Sequence, residues 1–137
     1  ILELMRSLQE RLGMAILYIT HNLGVIAEMT EDVIVMYLGK VVERGDVDSI
    51  FHNPQHPYTR DLLKSIPNML EETEGTRLQA IEGMVPDPFS LPEGCSFHPR
   101  CQECMEGVCD VKEPPDIDLG NGRHVRCHLY SEEQVQA

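Results

Sequence analysis

The chain has 137 residues and a formal net charge of −12, with 42% hydrophobic but only 5% aromatic residues. The charge is uneven, because residues 1–70 carry 6 Lys and Arg against 9 Asp and Glu, whereas residues 71–137 carry 5 against 14. Phosphate affinity comes from cations, so we expect no nucleic-acid binding and no direct binding to anionic membranes. No apolar run reaches the roughly 18 residues that predict a membrane span.

The first predicted elements are a helix and a buried strand. Residues 1–12 place apolar side chains at three- and four-residue steps, which predicts a helix that packs on one side. The chain opens inside this pattern and without a methionine, so we expect a fragment of a longer protein. Gly13 suits the left-handed conformation that ends many helices. Residues 15–20 (AILYIT) predict a short strand buried on both faces of a parallel sheet.

A second helix and a hairpin are predicted next. Asn22 is a candidate N-cap for a helix over residues 23–29. Residues 32–37 (DVIVMY) indicate a strand, and the Gly39-Lys40 pair that follows suits a turn back into residues 41–43. This arrangement is typical of a β-hairpin.

Two short helices close the regular part of the pattern. Asp46 is a candidate cap for a helix that ends at His52. In the segment NPQHPYTRDLLKSIP, His56-Pro57-Tyr58 suits a turn followed by proline in the first helical turn, and Pro67 suits the end of that helix. Pro, Gly and acidic residues dominate beyond residue 70, so we expect a boundary near residues 68–80.

His21 is a candidate functional residue. It follows the predicted strand 15–20 directly, at the carboxyl end where open α/β sheets place their ligands. An imidazole there could hydrogen-bond a phosphate or polarise a water molecule. It could equally cap the next helix or face solvent, and spacing alone leaves these alternatives open.

Five cysteines lie in the last third of the chain, among prolines, glycines and charges. A segment with so few large apolar residues normally stays disordered unless another interaction fixes it. Thiolate–metal bonds supply such folding free energy. Without a visible secretory signal, metal or cluster ligation is favoured over disulfides. Only one CxxC is present, from Cys101 to Cys104, which argues against an ordinary zinc ribbon.

The segments ILYITHNLGVIAEMTEDVIVMYLGKVVERGDVDSIF and NPQHPYTRDLLKSIP closely resemble the end of the nucleotide-binding subunit of oligopeptide/dipeptide ABC importers. The resemblance implies an α/β fold in three parts. Residues 1–52 would be the C-terminal end of a RecA-like ABC ATPase core, with short parallel strands, a hairpin and helices. Residues 53–80 would form the HPY helix and linker, and residues 81–137 an irregular, Cys-rich metal- or cluster-binding extension.

The same resemblance implies a function for the intact protein, which is ATP-driven peptide import across the cytoplasmic membrane. His21 would be the switch histidine that contacts the γ-phosphate and the attacking water, with ATP and Mg²⁺ as cofactors. Permease subunits and a second ATPase subunit would be its partners, at the cytoplasmic face, with membrane contact only through the permease. The sequence lacks the phosphate loop, the Walker B strand and the signature motif, so we expect the fragment itself to be inactive.

The resemblance also implies a role for four of the cysteines. The family's extension carries GC-x-F-x-PRC and two later cysteines, and some members hold a [4Fe–4S] cluster there. The matching positions in this sequence are Cys95, Cys101, Cys109 and Cys127.

The identity of the bound group stays open on chemical grounds. Four thiolates suit zinc as well as an iron–sulfur cluster, and three nearby histidines leave a Cys3His zinc site open: His98, His124 and His128. Cys104 is then the odd cysteine, which we interpret as a bystander rather than a substitute ligand. The alternative function is a stand-alone iron–sulfur or zinc-binding structural or interaction module.

Overall fold

The computed structural model describes residues 1–65, 81–87 and 89–131. Its helices are α1 (Leu2–Leu12), α2 (Leu23–Met29), α3 (Val47–His52) and α4 (Pro57–Lys64), and 3-10 turns lie at His98–Arg100 and His128–Tyr130. The strands are β1 (Asp32–Tyr37), β2 (Lys40–Asp46), β3 (Asp116–Gly120) and β4 (Arg123–Arg126). They form one antiparallel sheet in the order β1-β2-β4-β3. Nowhere in the described ranges is a helix long and apolar enough to cross a membrane.

The helix ends lie where the capping residues predict them. Asn22 accepts hydrogen bonds from two backbone N–H groups of α2, at 3.1 and 3.3 Å, and Asp46 accepts one from Ser49 at 2.8 Å. Gly13 ends α1 with a φ of +62°, a conformation that glycine adopts at little cost. These four helices and the β1–β2 hairpin confirm the corresponding predictions, although Pro67, the expected end of α4, lies outside the described residues.

A β-bulge in the hairpin buries a carboxylate. Val35 pairs with Glu43 and Met36 pairs with Val41, so Val42 has no partner on β1. An extra residue interrupts the strict alternation of faces along a strand. Val42 and Glu43 are consequently both buried, with 6% and 2% of their surface exposed.

The core joins the two halves of the chain. Its buried members are Ile26, Val33, Val35, Tyr37, Val42, Ile50 and Phe97. Phe97 comes from the Cys-rich extension and is only 1% exposed. Its ring meets Tyr37 edge-on at a centroid distance of 5.2 Å and Tyr58 at 5.4 Å. Val125, on β4, is completely buried. The extension therefore contributes buried apolar side chains, although its low content of large apolar residues does not predict this.

The expectation of short parallel strands is wrong for the described residues, in which every strand pair is antiparallel. Residues 14–20 have no regular secondary structure, and Leu17 and Ile19 are 82% and 90% exposed. A strand exists only where a neighbour takes up its backbone hydrogen bonds. No described strand pairs with residues 14–20, so the apolar run alone does not make one.

The expectation of an irregular extension is also wrong in part, because β3 and β4 form a hairpin there. Asn121 and Gly122 connect them, with φ values of +53° and +75°. An Asn-Gly pair with positive φ at both residues is the preferred two-residue connection between antiparallel strands. This signal is present in the sequence. β4 also pairs with β2, which makes the extension part of the same sheet.

Candidate functional site

The HPY segment is held by the buried Glu43. Its Oε1 accepts a hydrogen bond from the Gln55 N–H at 2.7 Å, and its Oε2 accepts one from the His56 N–H at 2.9 Å. The Nδ1 atom of His56 accepts a hydrogen bond from the Tyr58 N–H at 3.1 Å, so His56 is the N-cap of α4. Pro57 occupies the first helical position. The interpretation of this motif as a turn followed by a helix is confirmed.

His56 is neutral at physiological pH. Burial lowers its pKa to about 4, and the positive charge of Arg60 acts in the same direction, while a hydrogen bond to the backbone of Arg126 opposes the shift. Nδ1 must carry no proton, because it accepts from Tyr58. His56 is thus the buried N-cap of α4, which makes it a structural residue rather than a site of chemistry.

Arg60 connects the loop before α4 to the extension. Its Nε donates to the Pro54 carbonyl at 3.2 Å, and its Nη2 donates to the Gln55 carbonyl at 2.9 Å. The same guanidinium donates to Tyr130 Oη at 2.8 Å and forms an ion pair with Glu103 at 2.6 Å. Since Glu103 lies between Cys101 and Cys104, one side chain fixes the cysteine loop relative to α4.

Two backbone features bring the cysteine loops together. The Cys95 N–H donates to the Cys109 carbonyl at 2.8 Å. Gly94 has a φ of +68°, and a Cβ atom there would lie 2.4 Å from the Cys109 carbonyl oxygen. Only glycine fits so close an approach.

The thiols of Cys95, Cys101, Cys109 and Cys127 affect one another's pKa values. Burial raises the pKa of Cys101 to about 12 and that of Cys127 to about 11, and in each case nearby thiols of the group raise it further. Burial also raises the pKa of Cys95, to which Cys109 contributes. Cys109 and Cys127 are 7% and 8% exposed. Cys104 interacts with Cys109 and Cys95 as well, so these interactions do not set four cysteines apart from the fifth. The ligand set that the resemblance implies stays a prediction.

These interactions do not amount to a metal site. All five cysteines are free, and within residues 1–65, 81–87 and 89–131 no three His, Cys, Asp or Glu side chains are placed to hold a metal ion. His98 and His128 each direct a ring nitrogen to a backbone carbonyl, that of Cys95 at 2.9 Å and that of Lys112 at 2.8 Å. The arrangement fits neither a cluster nor zinc as it stands.

His21 lies between residues 14–20 and the start of α2, and its side chain is exposed. The predicted strand before it is missing, so the structure does not place His21 at the carboxyl end of a strand. Its neighbour Asn22 caps α2, which excludes the alternative that His21 itself is the cap. The phosphate-contacting role remains a prediction.

Comparison with known proteins assigns the chain to a family. Residues 42–109 match the family model described as the oligopeptide/dipeptide transporter, C-terminal region. The chain is 48% identical over 136 residues to the oligopeptide transport ATP-binding protein AppD of Bacillus subtilis. This alignment covers 99% of this chain and 40% of AppD. It is 42% identical over 128 residues to the dipeptide transport ATP-binding protein DppD of Escherichia coli. That alignment covers 93% of this chain and 38% of DppD.

A third relative is DppD of Caldanaerobacter subterraneus, 39% identical over 132 residues, with 96% of this chain and 40% of that protein covered. The chain thus spans about 40% of the length of the relatives it matches. These matches confirm the resemblance seen in the sequence. The chain belongs to the oligopeptide/dipeptide transporter family and carries that family's C-terminal region in residues 42–109.

Proposed function

We propose that this chain is the C-terminal part of the ATP-binding subunit of a peptide importer. The intact subunit hydrolyses ATP and drives peptide uptake through permease subunits, working with a second ATPase subunit at the cytoplasmic face of the membrane. Residues 1–52 are the end of its RecA-like core, residues 53–80 the HPY helix and linker, and residues 81–137 the extension. The observation that carries the proposal is the 42–48% identity to AppD and DppD over 93–99% of the chain.

In this proposal His21 is the switch histidine of the intact subunit. Its exposed ring is accessible to a phosphate, and its backbone is fixed next to the capped start of α2. When bound, Mg²⁺ and ATP supply the phosphoryl group and its charge neutralisation. The imidazole contributes a hydrogen bond to the phosphate and orients the attacking water.

A chimera tests the proposal. The chain replaces the matching segment of AppD, and ATP hydrolysis and peptide uptake are measured with the AppD permease partners. We expect the chimera to be active and His21→Ala to lose roughly 10²-fold or more in turnover, the scale of a positioned proton-transfer group. His52→Ala is the matched control, because His52 is exposed at the end of α3 and should change little.

The two parts of the proposal fail separately. A folded chimera with no ATP hydrolysis would contradict the peptide-importer function. An active chimera in which His21→Ala keeps full turnover would contradict only the role of His21.

We propose separately that Cys95, Cys101, Cys109 and Cys127 are ligands of a [4Fe–4S] cluster, with zinc as the alternative. Their match to the cysteine positions of the family's extension and the interactions among their thiols support this, whereas the positions of the side chains in the described residues do not form a ligand set. Binding would therefore require the loops to rearrange and the thiols to lose protons.

The test is anaerobic reconstitution with iron and sulfide, and in parallel with zinc. If a cluster binds, the protein turns brown and contains iron. Cys127→Ser should abolish the colour and the bound iron, whereas Cys104→Ser should retain both. A colourless protein with stoichiometric zinc would show that zinc, and not a cluster, is the bound group. Failure to retain either metal would contradict both.

A further inference from the structure

The connection between β3 and β4 places an exposed amide next to an exposed glycine. Asn121 and Gly122 are both exposed, and they form the connection with φ values of +53° and +75°. A Cβ atom at Gly122 would meet nothing within 4 Å outside the adjacent residues, so no other segment packs over this glycine. The Asn121 side chain and the Gly122 nitrogen are therefore open to water.

The Gly122 N–H also lacks an acceptor. Strand pairing ends at the Gly120–Arg123 pair, and no group in residues 1–65, 81–87 and 89–131 accepts a hydrogen bond from Gly122. The Gly120 N–H, by contrast, donates to Asp118 Oδ1 at 2.8 Å. An acceptor stabilises the protonated form of a nitrogen, so base can remove the proton of Gly122 more readily than that of Gly120.

The two other asparagines in the described residues are exposed too, but they lack this combination. The Oδ1 atom of Asn22 caps α2 at 3.1 and 3.3 Å, and the next residue is Leu23, whose branched side chain crowds the backbone nitrogen. Asn53 precedes Pro54, whose nitrogen has no proton to lose. Exposure alone therefore does not distinguish Asn121, whereas the glycine and the open turn do.

We propose that Asn121 is a modification site at which the folded chain deamidates without an enzyme. The Gly122 nitrogen loses its proton and attacks the carbonyl carbon of the Asn121 side chain. The bond from that carbon to the amide nitrogen breaks, the displaced nitrogen takes up a proton and leaves as ammonia, and a cyclic imide joins the two residues. One water molecule then opens the ring at either carbonyl and gives aspartate or isoaspartate. No oxidant or reductant takes part.

The modification acts on the sheet through the connection. Both products add a negative charge to residues 71–137, which already carry 14 Asp and Glu against 5 Lys and Arg. Isoaspartate also routes the backbone through the side chain, which lengthens the connection by one carbon atom. The register of a hairpin depends on turn type and loop length, and β4 carries the completely buried Val125. Deamidation therefore loosens β4 as the protein ages, whether or not the chain binds metal or ATP.

Peptide mapping of aged protein tests the proposal. The chain is kept in warm, mildly alkaline buffer, and samples taken over time are digested with trypsin. Cleavage after Lys112 and Arg123 places Asn121 on peptide 113–123, apart from Asn22 and Asn53. We expect this peptide to gain the mass difference between an amide and an acid and to separate into aspartate and isoaspartate forms. Its conversion should be at least several-fold faster than that of the peptides with Asn22 and Asn53.

A variant and a denatured sample are the controls. Asn121→Gly keeps a residue pair suited to the connection but has no amide, so the mass of peptide 113–123 should stay constant. Denatured wild type shows that the assay detects conversion. If Asn121 converts in denaturant but not in the folded chain, the turn protects the amide and the proposal is wrong. Equal conversion of Asn22 and Asn121 in the folded chain would overturn it as well.

Urea unfolding tests the effect on β4. The unfolding midpoint of the wild type should fall as Asn121 converts, whereas that of Asn121→Gly should stay constant over the same incubation. An unchanged midpoint after full conversion would contradict the loosening of β4.

Discussion

The carboxylate of Glu43 and the backbone N–H of His56 meet at 2.9 Å in the interior of the protein. Glu43 lies on β2 directly after the bulge at Val42, and His56 begins α4. This contact sets the direction in which the HPY helix leaves the sheet. Phe97 then packs beside it, with its ring 6.0 Å from that of His56, so the same junction receives the cysteine extension.

Glu43→Ala should destabilise the chain by about 2 to 4 kcal/mol, because it leaves the Gln55 and His56 N–H groups buried without an acceptor. Urea unfolding followed by far-UV circular dichroism measures the change. Glu31→Ala is the control, since Glu31 is exposed, and should shift the free energy of unfolding by less than about 0.5 kcal/mol. Equal effects of the two substitutions would exclude the proposed role of Glu43.

His56 should make the chain less stable in acid. Its pKa is about 4 in the folded chain against 6.5 as a reference, so the unfolded chain binds the additional proton between these values. The full free energy of unfolding with a neutral His56 is therefore present above pH 6.5, and it falls as the pH is lowered towards 4. The loss approaches about 1.4 kcal/mol per pH unit and about 3 kcal/mol in total.

The comparison is with His56→Asn, which keeps an N-cap acceptor but does not titrate. Its free energy of unfolding should depend less steeply on pH between 4 and 6.5 than that of the wild type. His52→Asn, at an exposed histidine, should leave the slope unchanged. If His56→Asn has the wild-type slope, His56 is not the group responsible.

Gly94→Ala should be more damaging than Gly107→Ala, although both glycines have positive φ. A Cβ at Gly94 would lie 2.4 Å from the Cys109 carbonyl oxygen, whereas a Cβ at Gly107 would have nothing within 4 Å. Gly107→Ala should cost about 1 kcal/mol for the left-handed backbone alone. Gly94→Ala should cost at least about 1 kcal/mol more, because the backbone must move or remain strained. Equal losses in urea unfolding would contradict the close approach of the two loops.

Phe97→Ala should cost about 3 to 5 kcal/mol, the usual effect of removing a buried aromatic ring. The matched control is Phe89→Ala, because Phe89 is 99% exposed and contributes little to packing. A stable Phe97→Ala variant would show that the extension is held by other contacts. The readouts are the unfolding midpoint and the alkylation rate of Cys127.

Local signals in the sequence predict most of the helices and the first hairpin. Asn22 and Asp46 cap the helices that follow them, and Pro57 starts α4, since each effect depends on residues within one turn. AILYIT fails as a strand because strand formation depends on a partner elsewhere. Asn121-Gly122 is an equally local signal, and its preference for two-residue hairpins would have predicted the β3–β4 hairpin.

The candidate site is less predictable because it depends on long-range contacts. The burial of Glu43 follows from an extra residue at Val42, which no periodicity reveals. Composition gives a low count of apolar residues in the extension, yet Phe97 contacts Tyr37 and Tyr58 from the other half of the chain.

Contacts of Phe97, Arg60 and β4 hold the cysteine region on the sheet. The most direct measurement is the alkylation rate of each thiol in chelator-treated, reduced protein, compared with the same protein in denaturant. The structure predicts that Cys109 and Cys127, at 7% and 8% exposure, react much more slowly than Cys104 and lose this protection in denaturant. If all five thiols react without denaturant as fast as in it, these contacts do not hold the extension on the sheet and the account is wrong.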